Sequence, residues 1–139
     1  RGLCHIVARR LTSAIQDLSD ALSFARSRKA GLENEPRILA DLANAYKLNG
    51  DDATALATVD EAIKVATERH ARIPEYLARI VRADLLLRSK TGDQEAEGKQ
   101  ELERARALMQ ETGARLFESF IVSTGAEHAH TDQISTRAG

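Results

Sequence analysis

The chain has 139 residues, of which 42% are hydrophobic but only 4% aromatic, with no tryptophan. Lys and Arg number 20 and Asp and Glu 21, a formal net charge of −1 that disfavours a strongly basic nucleic-acid binder. One cysteine, Cys4, excludes an internal disulfide, and no apolar run approaches the roughly 20 residues that cross a bilayer.

The apolar residues are mainly Ala, Leu, Ile and Val, which suits closely packed helices better than a sandwich of sheets. Residues 2–9 read as a short apolar helix. Thr12 or Ser13 caps a second, which runs to about Arg28 before Gly31 breaks it. Glu33-Asn34-Glu35-Pro36 opens a third, with a proline in the first turn and acids at the positive helix end, and Asn49-Gly50 stops it. Asp51 or Asp52 caps a fourth, reaching about Arg69. Pro74 opens a fifth, which stops at Thr91-Gly92. Asp93 caps a sixth, which runs to about Thr112. Residues 114–123 form a seventh, and residues 125–139, polar and without a helical stripe, are expected to be a flexible tail. Sustained period-2 alternation is absent, so no strands are predicted. The first 124 residues are expected to be one helical domain.

One pattern of small and apolar residues recurs three times with the spacing 4, 3, 4. Ala14, Leu18, Ala21 and Ala25 carry it first, then Ala55, Val59, Ala62 and Ala66, then Gly98, Leu102, Ala105 and Met109. Such a seam, repeating at about 40 residues, predicts stacked antiparallel helical hairpins, because small residues let helices approach closely.

Within the middle repeat, Leu39, Leu42, Ala43 and Tyr46 precede the Gly50 turn, and Ala55, Val59 and Ala62 follow it. This resembles the tetratricopeptide repeat. Thr67 stands where the repeat's closing proline is usual, and the helices are longer than a 34-residue repeat allows. Residues 82–87 with Gly92, and residues 105–114, are similar to the longer variant found in bacterial signalling ATPases, maltose-activator-type regulators and the C-terminal regions of some adenylate or guanylate cyclases. The resemblance implies an all-α, tetratricopeptide-like solenoid of about seven helices. It also implies a non-catalytic interaction or regulatory module, belonging to a larger bacterial signalling protein whose other parts could include an enzyme such as a cyclase. No catalytic residue, metal or cofactor is expected in these residues. The expected partner is a protein or peptide, with homodimerisation as an alternative and neither nucleic acid nor membrane implied. A cytoplasmic setting follows from the lone cysteine and the lack of a visible secretory signal. A chain opening on Arg1 is expected to be part of something longer.

In tetratricopeptide domains the first helix of each pair lines a concave face. By that resemblance Arg37, Ala40, Asn44 and Lys47, with Arg79, Arg82 and Arg88, border a groove for peptide carboxylates or amides. The same residues also fit a solvated helix face carrying Glu75–Arg79 and Asp84–Arg88 pairs at i,i+4. Asn44 resembles the asparagine that holds peptide backbone in some tetratricopeptide clamps, although Ala40 replaces the neighbouring lysine. Glu127, His128 and His130 could ligate a metal but lack a further ligand cluster. His5 and His70 read as ordinary helix residues. Phe117, Phe120 and Ile121 form an apolar helix end that needs cover, as do Leu3, Ile6 and Val7. Either end could support self-association. An effector-sensing pocket is the remaining alternative.

Overall fold

The computed structural model describes residues 2–89 and 91–112. Five α-helices occur among them, with no strand: α1 (Gly2–Arg28), α2 (Glu35–Leu48), α3 (Asp52–Glu68), α4 (Arg72–Arg88) and α5 (residues 92–112). A short 3-10 turn, Leu32–Asn34, leads into α2. The chain divides into two compact units, Arg1–Ala105 and Arg106–Gly139. The first holds α1 to α4 and most of α5. Of the second, residues 106–112 are described, and they are helical. The expected helix at 114–123 and the tail at 125–139 lie outside the described residues.

The count differs from seven partly because the first two expected helices are one. Residues 8–10 are Ala-Arg-Arg, with no turn-forming residue, so α1 continues without a break for 27 residues. Thr12 does not cap a helix there. Its hydroxyl donates back to the Ala8 carbonyl at 2.9 Å, a mid-helix habit of threonine.

The other boundaries have local causes. At the end of α2, Gly50 adopts φ +82, a left-handed conformation open to a residue without Cβ. Asp51 N donates to Tyr46 O (3.0 Å) and Gly50 N to Lys47 O (3.1 Å), which closes the helix end with both bonds of a Schellman motif. The α3 end repeats this pattern, with Ala71 N on Ala66 O and His70 N on Thr67 O. His70 fills the left-handed position at φ +55, so it lies in the turn rather than in a helix. Asp51 caps α3 by accepting from Thr54 N at 3.2 Å. Those hydrogen bonds from Thr54 favour the charged carboxylate and hold the Asp51 pKa below its ordinary value. Pro74 stands in the first turn of α4, which begins at Arg72, where a missing N–H costs nothing.

Helix α1 packs on α2, α2 on α3 and α3 on α4, and α2 also packs on α4. The core centres on α2 and α3. All four seam residues of α3, Ala55, Val59, Ala62 and Ala66, are fully buried, and so are Ala43, Ala78 and Ala83. In α5 the seam residues Gly98 and Ala105 are buried too. A Cβ on Gly98 would lie 2.9 Å from Leu87 Cγ and 3.3 Å from the Ala83 carbonyl, so this glycine sets how closely α4 and α5 approach. Leu102 of the same seam is half-buried and Met109 exposed, and the seam of α1 is less buried still. Ala25 is buried, Ala14 and Leu18 are half-buried, and Ala21 is exposed.

Candidate functional site

On α2, Arg37, Asp41, Asn44 and Leu48 succeed one another at helical spacing and form its outer face. Arg37 Nε donates to Asp41 Oδ1 and Oδ2 at 3.2 and 3.1 Å. Asn44 is half-buried, and Leu48 is 61% exposed. Lys47 reaches across to α4, where its Nζ is 2.9 Å from Asp84 Oδ2. That contact takes the carboxylate expected to pair with Arg88. Ala40, which the resemblance placed beside the groove, is a core residue at 2% exposure. The neighbouring α4 leaves Ile73 and Ile80 exposed.

Arg79 and Arg82 do not offer their guanidinium groups to such a groove. Arg79 donates to Glu75 within α4 (2.8 and 3.0 Å) and to Glu101 of α5 (2.9 Å). The Glu75 contact is the expected local pair. Arg82 spans three helices, contacting Asp60 of α3 (2.8 Å) and Glu97 and Glu101 of α5 (2.6 and 3.2 Å). Arg104 adds a further contact to Glu101 at 2.9 Å. Burial alone would lower the pKa of both α4 arginines, but the hydrogen bonds that Arg79 donates to Glu101 and Glu75, and Arg82 to Glu97 and Asp60, hold them above the ordinary value. The cluster is thus a satisfied ion network that joins α3, α4 and α5.

A second network was not legible as such in the sequence. Glu35, expected only to favour the start of α2, is 5% exposed. Its carboxylate accepts from Arg26 of α1 at 2.8 Å and from Arg69, the C-cap of α3, at 2.6 Å. Arg26 also pairs with Glu61 of α3, and Arg69 also donates to the Leu32 carbonyl. Burial pushes the Glu35 carboxyl up, but the two arginines outweigh it and leave the pKa below its usual value. No local spacing signals it, because Arg26 and Arg69 lie 9 and 34 residues from Glu35, whereas Glu75 in the first turn of α4 is taken by Arg79 of its own helix at i,i+4.

Among the described residues no group of three His, Cys, Asp or Glu side chains could hold a metal. No helix among them is long and apolar enough to cross a membrane. Phe117, Phe120 and Ile121, and Glu127, His128 and His130, lie outside the described residues. No protein-family model, curated protein or solved structure matches the chain.

Proposed function

We propose that this chain is a non-catalytic helical-repeat module that binds a protein or peptide partner, with α2–α3 and α4–α5 as tetratricopeptide-like hairpins. One observation carries the reading: α2 packs on both α3 and α4 while the α3 seam is buried along its whole length. A first helix that touches its own partner and the next first helix is what stacked hairpins require. Such stacking leaves the outer faces of α2 and α4 as a preorganised surface, and preorganisation lowers the ordering cost of binding. The recognition elements are Asn44, for peptide backbone, and the exposed Leu48 and Ile80, for apolar side chains. Arg79 and Arg82 support this surface from behind, through the ion network, rather than contacting the ligand. Regulatory use within a larger bacterial signalling protein is the biological setting we infer from the repeat length.

The test is selection of binders to the 139-residue chain from a random peptide library, followed by affinity measurement on variants. Asn44→Ala, Leu48→Asp and Ile80→Asp should each weaken the selected peptides about tenfold, one bidentate or anchor contact being worth roughly that much. Peptides that bind all three variants as tightly as the parent, or no enrichment at all, would sink the reading.

A further inference from the structure

The side of α1 away from the core carries a second pattern. Ile15, Leu18 and Leu22 pack on the core. On the opposite side stand Ile6, Arg10, Ser13, Asp17, Asp20 and Phe24, all exposed. Their spacing alternates between four and three, which is the period of a two-helix seam. Ile6 and Phe24 are large and apolar, yet 51% and 57% exposed.

The order of these residues is symmetric about position 15. An identical helix laid antiparallel, with a two-fold axis at that level, sets Ile6 against Phe24 of the second copy. It sets Arg10 against Asp20 and Ser13 against Asp17. Each pairing then occurs twice, as an isologous contact requires. Parallel pairing would set Arg10 on Arg10 and Asp17 on Asp17, a costly juxtaposition of like charges. The surroundings suit the antiparallel arrangement. A groove of about 570 Å³ lies beside Phe24, walled by Ala21, Ala25, Gly31 and Ile38, and its small residues leave room for an isoleucine. Asp20 Oδ1 accepts from Gln16 Nε2 at 2.9 Å, a contact that occupies one of its two carboxylate oxygens.

We infer that a second copy of this chain docks antiparallel on the exposed face of α1, forming a two-fold dimer held by Ile6–Phe24 and Arg10–Asp20 contacts. The surface is separate from the α2 and α4 faces, so the two readings stand or fall independently. From Ile6 to Phe24 the helix rises about 27 Å. A single helix pair of that length makes a short interface, so the dimer is expected to exchange reversibly with the monomer.

Sedimentation equilibrium of the full 139-residue chain, from about 5 to about 500 μM, tests this. The expected result is a monomer–dimer equilibrium. Arg10→Asp and Asp20→Arg should each weaken association about tenfold, and the double exchange R10D/D20R should restore it to within about threefold. Phe24→Ser should weaken it without changing the helical circular dichroism. A monomer throughout the range overturns the inference. So does a dimer that ignores the single charge reversals, or one that the double exchange fails to restore.

Discussion

One carboxylate, that of Glu35, links three helices, and its ionisation should be visible in the stability. Its pKa is depressed on folding, so its contribution is complete above the unfolded-state value and is lost as the pH falls through the folded one. Arg26 and Arg69 remain about 40% exposed, which reduces what their charge-assisted bonds add. Glu35→Gln should therefore cost about 1–2 kcal/mol in urea unfolding at pH 7. The gap to the parent should close as the pH falls below about 4. Gly98 offers a second single-residue test, in which two effects oppose. Alanine would gain up to about 1 kcal/mol in helix propensity. Its Cβ would, however, meet the branch carbon of Leu87 at 2.9 Å and a backbone oxygen at 3.3 Å. Crowding of that kind costs about 1–3 kcal/mol. Crowding wins, so Gly98→Ala should lower the melting temperature, whereas Gly92→Ala, which meets nothing within 4 Å, should not.

Between elements, the seam decides what tolerates a larger side chain. Ala62 in α3 is fully buried, whereas its counterpart in α1, Ala21, is exposed. Ala62→Leu should cost about 2–3 kcal/mol by overpacking, and Ala21→Leu less than about 0.5 kcal/mol, both read by denaturant unfolding at low protein concentration. The spacing 4, 3, 4 was readable in the sequence, and so were the turns at Gly50 and after Arg69. The α3 seam is buried along its whole length, whereas in α5 Gly98 and Ala105 are buried but Met109 is 58% exposed, so a seam residue is covered only where a neighbouring helix meets it. In α1 the same spacing could not report its exposure, because burial depends on a neighbour and not on the pattern alone. The unbroken α1 was missed because Thr12 and Ser13 suit a cap as well as they suit a helix interior. Arg79 and Arg82 were misplaced for a different reason: their acid partners Glu97 and Glu101 lie a helix away, beyond the reach of i,i+4 reasoning.

Within the first unit, protection should follow the number of neighbours each helix has. Residues from Ile6 to about Ser13 lie on a stretch of α1 that is exposed at nearly every position. Amides there should exchange orders of magnitude faster than those of Val59 to Ala66, where opening requires unpacking α2 and α4 together. Hydrogen–deuterium exchange resolved by mass spectrometry would show this, and uniform protection along α1 would contradict it. The packing of α2 on α3 and α4 has a kinetic consequence as well. Its partners follow it within about 40 residues, so little loop-closure entropy opposes their meeting. A chain wired so locally should refold in microseconds to milliseconds in stopped-flow dilution. During synthesis, α2 and α3 could pair as soon as Glu68 has left the ribosome, giving α4 a finished template on which to dock.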